Sequence, residues 1–463
     1  MADPRRQRTR RTDPARLAAH EVLEAVRAGD AYTNLVLPGV LRRHGLTGRD
    51  AAFATELASG TLRRRGTYDA VLAACVDRPL HRVDPAVLDA LRLGTHQLLS
   101  MRVPPHAAIS TTVDLVHATA GRGAAGFANA VLRKAARHDL PGWVRRVGPD
   151  PSTDPVGFAA VAHSHPRWVV EQLVEAVGEE ELDDLLAADN LAPRVVLVAR
   201  PGRAEVEELP GTPTRFSPYG VVMEGGDPAA VPAVAEGRAG VQDEGSQLVA
   251  LALARAEVEG DDRRWLDLCA GPGGKAALLA ALAAERGARL LAAELRPHRA
   301  GLVARSLAGV DGALGTLAAD GTRPAWRPGS FDRVLVDAPC TGLGALRRRP
   351  EARWRRSAED LEALVPLQER LLASAIDSVR VGGVVLYATC SPVLAETAGV
   401  VRTTLSRRPE VELLDASRLL PEVPDAAGPV PGTLQLWPHR QQTDAMFIAA
   451  LVKTSSPAGP DFC

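Results

Sequence analysis

The sequence predicts a multidomain chain: an all-α domain first, a small α+β connecting subdomain next, and an open, mainly parallel α/β domain last. Three observations carry this expectation. Apolar residues recur at three and four spacing from Asp13 to about Leu140. From Val241 onward, short strand-like runs alternate with helical ones. A glycine-rich turn sits between the first of those strands and the helix after it. At 463 residues and 46% hydrophobic content, the chain is long and apolar enough for two or three cores.

Taken in order, residues 1–12 read as a flexible basic arm, either a solvated tail or a phosphate-contacting segment. No apolar run follows its arginines, so it is not a secretory signal. Residues 13–140 hold helical patterns such as "ARLAAHEVLEAV", "DPAVLDALRLGTHQLLS" and "AGFANAVLRKAAR", with Asp84-Pro85 a good helix start. Residues 141–165, rich in Pro and Gly at their start, read as a linker. Residues 166–240 carry two helices, "HPRWVVEQLVEAVG" and "EEELDDLLAADN", then the strand-like "RVVLVARPG" and "GVVMEG". Residues 241–455 form the α/β domain, with strands at "RWLDLCA", "ARLLAAEL", "ALGTLAAD", "FDRVLVDA", "GGVVLYATC" and "AMFIAALV".

Composition narrows the function. Only three residues are lysine (Lys134, Lys275 and Lys453), so arginine supplies nearly all of the basic charge, and clusters of it weigh less than usual. A formal net charge of -1 gives no global footprint of nucleic-acid binding, so such a surface must be local. Five scattered cysteines exclude a disulfide framework, give no zinc-type spacing, and fit a reducing cytosol. No metal site is expected, and no apolar run of membrane-spanning length appears.

The chemistry concentrates in the last third. In "DLCAGPGGKAALLAALA", residues 267–283, Gly271, Gly273 and Gly274 let a ligand approach the backbone at the amino end of a helix. The turn is neither G-x-G-x-x-G nor a P-loop. The next three strands end in Glu294, Asp320 and Asp337. Acids at successive strand ends line the sheet edge where open α/β folds bind ligands, and suit a nucleoside cofactor without phosphate, with S-adenosylmethionine fitting best. Cys340 follows Asp337 in "VDAPCTGL", and Cys390 ends the next strand in "LYATCSP", so both thiols are expected to face one cleft. Two such thiols beside a methyl donor suit methylation at carbon 5 of a pyrimidine. A thiolate adding at carbon 6 makes carbon 5 nucleophilic, an acid such as Asp337 near ring nitrogen 3 favours the addition, and Lys275 can favour the thiolate.

With these residues in view, the sequence resembles the RsmB/Sun (Fmu) family of 16S ribosomal RNA cytosine-C5 methyltransferases. "VQDEGSQL", "DLCAGPGGKA", "AAELRPHR", "AADG", "DAPCTGLGALRRRPEARW", "YATCSP" and "LQLWPHRQQTDAMF" run in family order, and "SHPRWVV" and "FANAVLRK" extend the likeness toward the front. The resemblance implies a NusB-like RNA-binding helical domain and a Rossmann-like class I S-adenosylmethionine-dependent methyltransferase domain. It implies that Cys390 is the nucleophile and that Cys340 helps release the product. It implies that Cys269, Ala270, Gly271, Pro272, Gly273, Gly274, Lys275, Glu294, Asp320 and Asp337 bind S-adenosylmethionine. The partner implied is 16S ribosomal RNA, and the chain is expected to act as a monomer in the cytoplasm.

Two departures touch the cofactor turn: Glu294 stands for the commoner Asp, and Gly271 for Ala, a change expected to be harmless. The rival readings are a NusB-like RNA-binding factor whose methyltransferase half is inactive, and a C5 methyltransferase acting on another RNA such as tRNA. "RRRPEARWRR", 347–356, reads either as a surface for RNA backbone or as a solvated helix face.

Overall fold

The computed structural model describes residues 12–29 and 31–456, and the arm at 1–12 lies, except for Thr12, outside them. The chain divides into two compact units, the first made of residues up to Glu171 with Asp189–Ala192 and Arg347–Arg355. Its helices include Pro14–Ala28, Thr33–Arg43, Gly48–Arg63, Arg65–Cys75, Pro85–Leu99, Pro105–Ala120 and Arg122–Ala135. Asp13 and Asp84 start two of them as sequence chemistry dictates: each carboxylate accepts a first-turn N–H, and a proline follows where no donor is needed. The apolar stripes meet in one core that includes Val22, Leu57, Leu72, Leu91 and Leu132.

The expected linker is largely helical, with helices at Leu140–Val147 and Pro155–His163. Pro141 and Pro155 occupy first-turn positions after the capping Asp139 and Asp154, so the prolines that suggested a loop are helix starts. Trp143 is buried and its indole N–H donates to the Ala135 carbonyl at 2.8 Å.

Arg347–Arg355 belongs to this helical unit, although it follows the Cys340 turn in the chain. Glu351 accepts from the Thr33 N–H at 2.9 Å and its hydroxyl at 2.8 Å, at the start of Thr33–Arg43. Arg353 is fully buried and donates to the Ser164 carbonyl and the Asn190 side chain. Arg355 donates to the carbonyls of Val26 and Ala31. Arg353 and Arg355 are therefore engaged within the protein: their guanidinium donors serve carbonyl oxygens and the Asn190 side chain.

The second unit holds two sheets. In the smaller, β1 (Val196–Ala199), β2 (Thr212–Pro213), β3 (Gly220–Val222) and β4 (Ala239–Val241) lie in the order β2-β3-β1-β4, antiparallel throughout. The larger holds β5 (Arg264–Asp267), β6 (Arg289–Glu294), β7 (Ala313–Ala318), β8 (Phe331–Asp337), β9 (Val379–Thr389), β10 (Val411–Leu414), β11 (Leu434–Gln435) and β12 (Phe447–Lys453). Its order is β10-β12-β9-β8-β5-β6-β7, with β11 on β12; β5 to β9 are parallel, and β10 to β12 make the antiparallel edge.

Apolar alternation sends the two sides of each central strand to different cores. Leu335, Leu386 and Ile448 join the helices Glu244–Arg255 and Gly274–Glu285, while Val336, Tyr387 and Phe447 join the helix Ala358–Ser378. Burial on both faces pins the register, because a one-residue slip would exchange the cores. Among the described residues, no helix is long and apolar enough to cross a membrane.

Candidate active site

The strand order reverses at β5, with β6 and β7 to one side and β8 and β9 to the other, so the carboxyl ends of β5 and β8 flank the crevice where open sheets bind ligands. The glycine turn leaves β5 there. The Leu268 N–H donates to the Leu335 carbonyl and the Ala270 N–H to the Ala293 carbonyl, both at 2.9 Å, which ties the turn to β8 and β6. Cys269 lies half-buried within it. Burial, then the Asp267 and Asp337 charges, pushes its thiol well above the ordinary range, so it stays protonated. The Gly271–Pro272 peptide is cis. Gly273 has φ +116°, and a Cβ there would meet Ser306 Cβ at 2.7 Å, so both conformation and space demand glycine. Gly274 opens the helix Gly274–Glu285, whose first N–H groups face the crevice edge.

Glu294 ends β6 with its side chain buried, and one oxygen accepts from the Arg296 N–H at 3.0 Å. Arg299 steadies the opposite wall by donating to the Gly271 carbonyl at 2.7 Å. A Cβ on Gly271 would sit 2.0 Å from Glu294 Oε2, so the two departures from the family pattern are physically linked. The longer acid fills the space an alanine methyl would need. Asp320 lies at the same sheet edge, two residues beyond β7, but is exposed. Its carboxylate accepts from the Thr322 hydroxyl and N–H, which hold its pKa below the usual value.

Asp337 ends β8 and accepts from Lys275 Nζ at 2.9 Å. Burial works against the Lys275 ammonium, yet the Asp337 carboxylate outweighs it and raises the lysine pKa; the Cys390 sulfur adds to that pull. The attraction is mutual, so a thiolate at Cys390 gains from the ammonium. Parallel pairing of β8 with β9 sets Asp337 opposite Ala388, and Cys390 follows two residues later. The Sγ atoms of Cys340 and Cys390 are 3.5 Å apart. Cys340 is buried and Cys390 half-buried. The neighbouring Cys390 sulfur, then burial, pushes the Cys340 thiol well above its ordinary pKa. Cys340 therefore keeps its proton while Cys390 is the accessible sulfur. The fold brings the two thiols, expected to face one cleft, within contact of each other.

Sequence reading missed two groups beside the turn. Asp267, the last residue of β5, is fully buried, and burial and then the Asp337 charge push its carboxyl up to about 8. Its Oδ2 has no hydrogen-bond partner among the described residues. Gln242 is 5% exposed, and neither end of its amide has a partner among the described residues. Its amide carbon is 3.9 Å from where a Gly274 Cβ would be. The signal for Asp267 was its place beside the turn; for Gln242, far from the turn in the chain, there was none but the quoted "VQDEGSQL". Polar atoms left without partners beside a glycine cradle fit a polar cofactor seated there. A cavity of about 440 Å³ lined by Arg263, Arg264, Arg289 and Phe331 lies instead at the amino ends of the strands, away from this cluster. No group of metal-ligating side chains occurs among the described residues.

Residues 252–452 match the family model described as 16S rRNA methyltransferase RsmB/F, and residues 13–137 match the NusB family. A Mycobacterium tuberculosis protein named only as a methyltransferase is 54% identical over 96% of this chain and 97% of its own length. Ribosomal RNA small subunit methyltransferase B of Pseudomonas putida is 34% identical over 96% of this chain and 99% of its own. The solved structure of PH0851 shares the fold, with a TM-score of 0.78 at 22% identity over 95% of this chain and 99% of that one.

Proposed function

Because this chain belongs to the RsmB/F family of S-adenosylmethionine-dependent methyltransferases, we propose that it methylates carbon 5 of a cytosine in 16S ribosomal RNA through a covalent bond from Cys390 to carbon 6. One observation carries this reading: two thiols 3.5 Å apart, of unequal exposure, beside the Lys275–Asp337 pair. The turn Cys269–Lys275, Glu294, Asp320 and Asp337 would hold the cofactor, which supplies an electrophilic methyl group. Glu294 is suited to a ribose diol, and the helix end after Gly274 to the carboxylate of the methionine part.

The Cys390 thiolate, favoured by Lys275, adds to carbon 6. The displaced electron pair moves toward ring nitrogen 3, where the Lys275–Asp337 pair can deliver a proton. Carbon 5 is then nucleophilic and takes the methyl group. Once Cys390 is bonded to carbon, the first cause of the raised Cys340 pKa is gone. Cys340, its proton lost to solvent, takes the carbon 5 proton; the C5–C6 double bond reforms, the C6–S bond breaks to return the Cys390 thiolate, and nitrogen 3 gives its proton back to the Lys275–Asp337 pair. The helical unit, which matches the NusB family, is assigned to holding the RNA. The test is a denaturing gel of 16S ribosomal RNA with Cys340→Ala, Cys390→Ala and the double variant. A covalent protein–RNA band in Cys340→Ala alone is expected; a band in Cys390→Ala alone would reverse the assignment. No methylated cytosine from the unaltered chain on 16S RNA, with methylation of tRNA instead, would redirect the substrate.

A further inference from the structure

Glu396 lies outside every motif assigned above, yet it is fully buried between the two thiol turns. Its Oε1 accepts from the Thr341 N–H at 2.8 Å and the Gln368 amide at 2.9 Å. Its Oε2 accepts from the Thr341 and Ser391 hydroxyls, both at 2.5 Å. Thr341 immediately follows Cys340, and Ser391 immediately follows Cys390. Gln368 also donates to the Pro339 carbonyl at 2.9 Å, on the other side of Cys340. Each donor therefore comes from a cysteine turn or from a residue gripping one. Among the described residues no cation pairs with this carboxylate, and four donors are what a buried carboxylate without one needs.

The backbone around Glu396 is itself unusual. Ala395–Gly399 forms a single π-helical turn leading into the helix Val400–Arg407, and the Tyr387 hydroxyl donates to the Glu396 carbonyl at 2.7 Å. Single π-helical turns are rare and frequently lie at functional sites. Here the turn carries the side chain that joins the cysteine turns. Sequence spacing alone would not hold the sulfurs together, because the turns are 50 residues apart and each leaves its strand as a loop.

We infer that Glu396 is a positioning residue: its carboxylate clasps the Cys340 and Cys390 turns and sets the distance between the two sulfurs. The inference rests on the two-thiol reading above, but its geometry can be tested without RNA. Glu396→Gln keeps the size and replaces one acceptor with a donor that faces hydroxyls. Thr341→Val removes one clasping hydroxyl at constant volume, and Thr341→Ser keeps it.

The full-length chain and these three variants are oxidised with diamide, and formation of the Cys340–Cys390 disulfide is timed by mass spectrometry. Cofactor affinity is read by calorimetry and single-turnover methyl transfer on 16S ribosomal RNA. Glu396→Gln and Thr341→Val are expected to slow both disulfide formation and transfer at least tenfold, with cofactor affinity within twofold; Thr341→Ser is expected to restore both rates. Unchanged disulfide rates in both slowed variants would overturn the inference, as would cofactor affinity falling in step with transfer. If Glu396→Gln does not fold, the Thr341 pair decides alone. Failure of the covalent reading shows separately, as absence of an RNA adduct in Cys340→Ala with Glu396 intact.

Discussion

The two cysteine turns look alike in sequence, each a thiol just beyond a buried parallel strand and followed by a hydroxyl residue, yet the fold makes them unequal. Cys340 is buried with its proton held by the neighbouring sulfur; Cys390 is half-exposed and feels the Lys275 ammonium. Residue type supplies the thiols, and surroundings make them differ. The same holds for Cys269, a third thiol at a strand end, which burial and two carboxylates keep inert.

The largest expected effect tests that division directly. Cys390→Ala is expected to abolish methyl transfer and leave S-adenosylmethionine affinity unchanged by calorimetry, since in the proposed reaction Cys390 makes the adduct and is no part of the cofactor turn. Measurable turnover by this variant would break the comparison. Cys340→Ala is expected to lower turnover by a factor on the order of 10²–10⁴, the usual contribution of a positioned proton acceptor, while single-turnover transfer persists. Equal losses in single and multiple turnover would make the turns equivalent.

The comparison sharpens if the cofactor turn separates cleanly from both thiols. Glu294→Ala is expected to weaken cofactor binding by roughly 10- to 100-fold, about 1.5–3 kcal/mol, without preventing thiol oxidation. Asp320→Ala is expected to cost less, because its carboxylate is exposed and already engaged by Thr322. Unchanged affinity in both would remove these acids from the site. The smallest effect concerns Gly271→Ala, expected to cost about 1 kcal/mol by overpacking against Glu294. Glu294→Asp in the same chain is expected to return part of it. A double-mutant cycle on thermal unfolding and cofactor affinity measures this coupling; strict additivity would show that the two departures from the family pattern are unrelated.

Much of the α/β unit was legible because its signals are local. "RWLDLCA", "ARLLAAEL" and "FDRVLVDA" carry strand and turn within a few residues, and β5, β6 and β8 fall on them. The short β10 and β11 were missed: "VELL" and "LQ" are too brief to show a period and exist by pairing with β12. At 140–157, proline and glycine content suggested a linker where capping aspartates make helices. Glycine in place of alanine at 271 was expected to be harmless, and the position of Glu294 Oε2, 2.0 Å from where a Cβ would be, adds a contact that the sequence could not show.

By itself the sequence determined the order of the domains, the glycine turn, the acids at the strand ends and the presence of two thiols, because periodicity, turn chemistry and residue type act over short stretches. Tertiary structure decided which sulfur is the more deeply buried, which carboxylate joins the turns, and that Arg353 is buried rather than offered to a ligand. Those outcomes depend on residues far apart in the chain, such as Thr341 with Glu396 and Arg353 with Ser164. Burial and charge pairing act through space, so the same arginine or cysteine acquires its character only when packing chooses its neighbours.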